Sequence, residues 1–279
     1  MQTRTPFCIL LTALFCSCAG PQEARTSGQA PAIGPEKGWL ILQGGGKLTG
    51  DTEAKQRFRD LAGGAQGRLV LIPTAWMGDF SADRMVQWRT QASDISGMTN
   101  VAVLHTLDRR VADTEAFVAP LRSATAAWVM GGDEVHLAKA YSGTKTQREL
   151  EALLDRGGVI IGNSAGADIL SKESTEPTNR WDGFDMLRDT LIVPHFSARH
   201  LEGVLTPLIA AHPDLLGLGI DEGTAIVVHG NEFKVIGDGR VAIYDGKDHA
   251  GRSYYYLSWG QKFDLKKRSI EWNSGKITR

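Results

Sequence analysis

Short apolar runs rich in β-branched residues recur along this chain, separated by amphipathic stretches. Residues 39–42, 68–73, 101–104, 125–130 and 159–161 each read as a strand buried on both faces. Between them, residues 53–61, 81–93, 113–121, 135–141 and 146–156 carry apolar positions at helical spacing, and Ser81 stands where an N-cap belongs. Strands and helices alternating at this spacing predict a doubly wound, mostly parallel α/β sheet. Beyond residue 170 the pattern changes. Residues 171–187 are polar and loop-like, 191–196 form a short strand running into a turn, and 201–211 read as a helix. A short strand ending at residues 218–224 precedes three more at 225–228, 233–236 and 241–244. Asn231 and the Gly237-Asp238-Gly239 run mark hairpins between those three. They are expected to lie antiparallel at the edge of the main sheet. The stretch holding Trp259, Phe263 and Trp272 predicts nothing definite, and no internal repeat is present.

The first 37 residues do not fit this pattern. Arg4, an apolar run from Phe7 to Phe15, and the small residues Ser17, Ala19 and Gly20 have the layout of a signal peptide over residues 1–18. The apolar run is too short to span a membrane. Cys18 after Ser17 resembles the lipid-modified cysteine of bacterial lipoproteins, although Phe15 and Cys16 fit that motif poorly; the alternative is ordinary cleavage near Ala19. Either route exports the chain to the periplasm, an outer surface or the medium. Residues 19–37 are rich in Gly, Pro, Ala, Ser, Gln and Glu and read as a flexible linker, which leaves 38–279 as the folded domain. All three cysteines, Cys8, Cys16 and Cys18, fall in the leader. A cysteine nucleophile, a disulfide framework and a thiolate metal site are thereby excluded. Lys and Arg number 31 against 32 Asp and Glu, so no basic footprint for nucleic acid exists.

Chemistry gathers where strands end. Gly44–Gly46, Gly131–Glu134 and Ser164 all follow predicted strands, and in such sheets ligands bind beyond the carboxyl edge. Gly162-Asn163-Ser164-Ala165-Gly166 joins a strand to a helix and has the nucleophile-elbow pattern, in which small flanking residues let the serine hydroxyl project. The glycines after the first strand lack both dinucleotide-binding and P-loop spacing, and no nucleotide cofactor is expected. A serine nucleophile needs a base, a group to orient that base, and donors for an oxyanion. Of His105, His136, His195, His200, His212, His229 and His249, His195 is the one that ends a short strand downstream of the elbow and is followed by an aromatic residue and a helix. Glu222 and Asp221 compete for the orienting carboxylate. Ala165, which follows the nucleophile, and a glycine of the Gly131-Gly132 pair are the candidate oxyanion donors. His195 and His200 lack the spacing of a helical metal pair, and no acidic cluster completes a site, so no metal is expected.

Taken in order, Gly44-Gly-Gly46, Met130-Gly-Gly-Asp-Glu134, Gly162-Asn-Ser-Ala-Gly-Ala167, Pro194-His-Phe196 with Arg199, and Gly219-Ile-Asp-Glu-Gly-Thr-Ala225 resemble the serine-peptidase family that holds cyanophycinase and aspartyl dipeptidase (peptidase E). The resemblance runs from about Gly38 to Tyr244. It implies a class I glutamine-amidotransferase-like, flavodoxin-like fold. It also implies a Ser164, His195, Glu222 triad, oxyanion donors Gly132 and Ala165, and substrate contacts from Gly45, Gly46, Asp133, Glu134, Asn163 and Arg199. The implied substrate is an aspartyl or β-aspartyl peptide, including β-Asp-Arg polymer. The resemblance also allows a homodimer, for which the sequence carries no interface signature. Departures cluster in the substrate reader. Val193-Pro194 replace Asp-Gln, Glu134 replaces a glutamine, and Leu201 and Val204 replace arginines. Glu134 in place of a neutral amide is expected to favour a cationic group. A carboxylesterase on the same elbow and a non-catalytic binding lipoprotein are the competing readings.

Overall fold

The computed structural model describes residues 31–46, 52–175 and 180–271. The chain divides into two units, Met1–Pro31 and Ala32–Arg279. Residues 1–30, which hold the expected signal peptide with Cys18 and most of the expected linker, lie outside the described residues. Residues 32–37 do not behave as the expected tether. Ile33 N–H donates to Asn231 Oδ1, Gly34 N–H to the Gly230 carbonyl, and Gly230 N–H to the Pro35 carbonyl. The domain therefore starts at Ala32 rather than at Gly38.

Five parallel strands form the centre of the main sheet: β1 (Trp39–Gln43), β2 (Arg68–Ile72), β3 (Asn100–Val103), β4 (Ala126–Val129) and β5 (Val159–Asn163). Their spatial order is β1-β5-β4-β2-β3. Side chains alternate across each strand, so each face buries its own set. Ile41, Leu69, Leu71, Trp128 and Ile161 meet Ala54 and Phe58 of α1 (Glu53–Leu61) and Trp88 and Ala92 of α2 (Ala82–Ser96). Leu40, Leu42, Val70, Ile72, Val129 and Ile160 face the opposite side. There they pack with α3 (Arg109–Ala112), α4 (Glu115–Ser123), α5 (Glu134–Tyr141), α6 (Lys145–Asp155) and α7 (Ala165–Asp168). Ser81 caps α2 by accepting from Arg84 N–H. The helix expected over 113–121 is α4, which starts where the Thr114 hydroxyl accepts from Phe117 N–H, and the short α3 before it is an addition to the expected elements.

The C-terminal strands are divided between two sheets, where the sequence pattern predicts one. β8 (Thr224–His229) pairs antiparallel with β1, and β9 (Glu232–Gly237), β12 (Lys262–Asp264) and β13 (Ser269–Glu271) continue outward. β6 (Thr190–Pro194), β7 (Leu216–Ile220), β10 (Arg240–Tyr244) and β11 (Tyr255–Ser258) instead form a second sheet in the order β11-β10-β7-β6. Leu218, Ile220, Val241, Ile243 and Leu257 join the core shared with β1 and β5. Leu191, Val193, Ala242 and Tyr244 face the other way, against α8 (Leu205–Ala211). α8 starts four residues later than expected. Its start at Leu205 places Pro207 in the first turn, where the missing N–H costs no helical hydrogen bond. The otherwise uninformative C-terminal stretch supplies β11 to β13, with Phe263 fully buried against Phe233.

Ile160 is completely buried at the centre of β5. Ile160→Ala is expected to cost about 2–5 kcal/mol, read as a lowered urea midpoint at unchanged slope.

Candidate active site

The elbow forms because its two glycines admit backbone where a side chain would not fit. A Cβ on Gly162 would overlap the Gly166 carbonyl, and one on Gly166 would overlap the Val129 carbonyl. This contact presses the start of α7 onto the ends of β4 and β5. Ser164 between them is held at φ 53° and ψ −121°, a costly conformation that only surrounding structure can maintain. Its side chain leaves the sheet edge and meets His195, with Oγ 2.8 Å from Nε2. The other ring nitrogen, Nδ1, lies 2.6 Å from Glu222 Oε1. A carboxylate accepts and does not donate, so Nδ1 carries the proton and Nε2 is left to accept from the serine hydroxyl.

Two strand ends bring the histidine and the carboxylate together. β6 and β7 are parallel neighbours with Pro194 opposite Ile220, so the residues that follow them emerge side by side. His195 has φ 53°, and only 9% of it is exposed. The end of β1 holds all three segments. The Gln43 carbonyl accepts from Ser164 N–H at 3.0 Å, the Gly44 carbonyl from His195 N–H at 2.6 Å, and the Gly45 carbonyl from Gly223 N–H at 3.1 Å. Gly45 also supports the imidazole face, since a Cβ there would stand 2.6 Å from Nε2.

The competing residues are occupied elsewhere. Asp221 Oδ1 accepts from Ser197 N–H and Oδ2 from Arg240 N–H, so it braces the turn rather than the imidazole. His249 pairs with Asp245, His229 stacks on Trp39, and His105 lies 3.1 Å from the Thr74 hydroxyl. Burial, and then the neighbouring His136, hold the His105 pKa below its ordinary value.

A cavity of about 370 Å³ opens on Ser164 and is lined by Gly46, Trp76, Met77, Gly78, Gly131, Gly132, Asn163 and His195. Gly131 abuts Ser164, with a Cβ there 3.0 Å from Ser164 Cβ. Among the described residues, the amides of Gly132 and Ala165 serve no backbone hydrogen bond, which leaves them available to an incoming oxygen. Of the substrate contacts expected from sequence, Gly46 and Asn163 line the cavity, and Gly45 lies beneath the histidine. Asp133, Glu134 and Arg199 do not line it. Asp133 caps α5 by accepting from Val135 N–H, Glu134 opens that helix, and Arg199 is exposed, with its N–H bonded to the His195 carbonyl. Val193, Leu201 and Val204, the apolar departures, pack with Leu191, Phe196 and Leu205. Trp76 and Met77 carry no motif, and their only signal is that they follow a strand at its carboxyl end.

The family model described as Peptidase family S51 matches residues 40–236. The chain belongs to peptidase family S51. Cyanophycinase from Synechococcus elongatus is 31% identical, over 77% of this chain and 72% of that protein. Cyanophycinase from Nostoc sp. (strain PCC 7120) is 26% identical, over 83% and 86%. The crystal structure of a peptidase from an acI-B1 Actinobacterium superposes with a TM-score of 0.66 at 26% identity, covering 83% of this chain and 98% of that one. This S51 protein is thus a serine-type peptidase on a flavodoxin-like α/β sheet. Among its described residues, no three or more His, Cys, Asp or Glu side chains gather as a metal site, and no helix is long and apolar enough to cross a membrane.

A fluorophosphonate is expected to label Ser164. In Glu222→Gln the side-chain amide can present an N–H to Nδ1 and reverse the tautomer. Labelling should fall on the order of 10³–10⁴-fold, measured as a second-order rate. Gly45→Ala is expected to displace the imidazole, slowing labelling by about a hundredfold while stability falls only about 1–3 kcal/mol.

Proposed function

We propose that this peptidase hydrolyses aspartyl or β-aspartyl peptide bonds through an acyl-enzyme, with Ser164 as nucleophile, His195 as base and Glu222 as its orienting carboxylate. The observation that carries this reading is the continuous contact from Ser164 Oγ through the imidazole to Glu222, at 2.8 Å and 2.6 Å. In the first step Oγ attacks the scissile carbonyl carbon while its proton passes to Nε2. The developing oxyanion takes hydrogen bonds from the amides of Gly132 and Ala165. The imidazolium then gives its proton to the leaving nitrogen, the C–N bond breaks, and a serine ester remains. His195 next deprotonates a water that attacks the ester, and the same proton returns to Oγ. Glu222 stays ionised throughout and stabilises the positive ring.

The relatives named cyanophycinase support the aspartyl class. The leader-like pattern before residue 19 supports export, and Cys18 offers a lipid anchor to the exported form. Hydrolysis of a panel holding cyanophycin, β-Asp-Arg, α-aspartyl dipeptides and a p-nitrophenyl ester tests the activity, with Ser164→Ala as control. Aspartyl peptides are expected to be cleaved, and the substitution should lower the rate on the order of 10⁴-fold or more. Cleavage of the ester alone would make the protein a carboxylesterase. Silence on every substrate, without fluorophosphonate labelling, would make it a binding protein.

A further inference from the structure

The part of the cavity wall formed by Trp76 and Met77 is apolar and faces solvent. Met77 is 74% exposed and Trp76 38% exposed, although both stand beside the nucleophile in the same cavity. Large apolar side chains left open at a reaction centre are covered when a ligand of like character binds. The wall is also built in advance. Trp76 N–H donates to the Pro73 carbonyl at 2.8 Å, and Asp133 N–H donates to the Ala75 carbonyl at 2.7 Å, which ties the loop to the neighbouring strand end. The Trp76 ring lies over Gly78 and meets Trp88 edge-on at 6.0 Å. Phe80 packs edge-on against Trp88 at 5.5 Å and stacks on His105 at 3.5 Å. Trp88 is itself 5% exposed and belongs to the core under α2, so the aromatic group anchors the loop to the fold.

Among the described residues, His195 is the only titratable side chain that lines this cavity. A carboxylate pressed against Trp76 and Met77 would lose its water without gaining a partner among the described residues that line the cavity. A leucyl, methionyl or phenylalanyl side chain would lose nothing and would cover Met77.

We propose that Trp76 and Met77 are specificity-determining residues that seat an apolar or aromatic side chain of the peptide next to the scissile bond. This rests on the serine-peptidase reading of Ser164, and it names the substrate class within that reading: peptides joining an aspartyl group to an apolar residue. The test is a dipeptide set in which each residue in turn is Leu, Phe, Asp or Arg. Wild type, Met77→Lys, Met77→Glu and Trp76→Ala are compared by kcat/KM ratios within each protein. Wild type is expected to prefer Leu and Phe at one of the two positions by about tenfold to a hundredfold. Met77→Lys should move the ratio at that position toward Asp, and Met77→Glu should move it toward Arg. Opposite shifts from one position cannot come from general damage to the fold. Because Met77 is largely exposed, these two variants remain informative even where Trp76→Ala loosens the loop. Ser164-dependent hydrolysis with a flat preference, or with ratios unchanged in both Met77 variants, overturns the pocket assignment alone. Absence of both hydrolysis and fluorophosphonate labelling overturns the serine-peptidase reading and this inference with it.

Discussion

Three consecutive carbonyls at the end of the first strand, those of Gln43, Gly44 and Gly45, each accept an amide from a different part of the chain. One amide is that of Ser164, one that of His195, and one that of Gly223, next to Glu222. The three groups that must meet are far apart in sequence, and each sits on a sharp turn of its own. Backbone bonds from a single short segment set their spacing before any side chain is considered. Gly45 shows how tight this constraint is, because its missing Cβ is the space the imidazole occupies. A side chain there would disturb chemistry more than folding, since it pushes on the ring and not on the core.

The two sheets divide the work. The parallel sheet presents Ser164 at the carboxyl end of β5, between β1 and β4. The second sheet presents His195 and Glu222 from two adjacent parallel strands, β6 and β7. β1 ends where the sheets come together, and Gly44 N–H donates to Thr224 while the Gly44 carbonyl serves His195. Each sheet is buried by ordinary alternation of apolar side chains, so the geometry of the site is inherited from strand packing. The strain at Ser164 and His195, both non-glycine residues at positive φ, is concentrated where the sheets meet.

Around this centre the residues divide by role. Asp221 and Asp133 are acids placed beside functional residues, yet each satisfies backbone amides and stabilises a turn or a helix start. Leu201 and Val204, which stand where the family resemblance places arginines, pack against the core of the second sheet. The cavity is correspondingly poor in charge among the described residues, and its character comes from the β2–α2 loop. That loop is held by aromatic packing on Trp88, so an anchored apolar surface borders the same cavity as Ser164.

The sequence by itself determined the alternation of strands and helices, the elbow at Ser164, and the strand-end position of His195 and Glu222. Each of these is a local signal: β-branched runs, glycines at fixed spacing, and a polar residue following an apolar run. Only the tertiary structure shows that Glu222, and not Asp221, contacts the imidazole, because both follow the same strand and the contact depends on which one turns toward the ring. It alone separated the C-terminal strands into two sheets, since strand pairing is a long-range matter that alternation does not encode. It alone placed Ala32 to Lys37 in the domain, because that segment is fixed by bonds to Asn231 and Gly230 and not by any pattern of its own. Trp76 and Met77 belong to the same class. Nothing in a loop sequence says which cavity it borders, and that is settled only when β2, β4 and β5 bring their ends together.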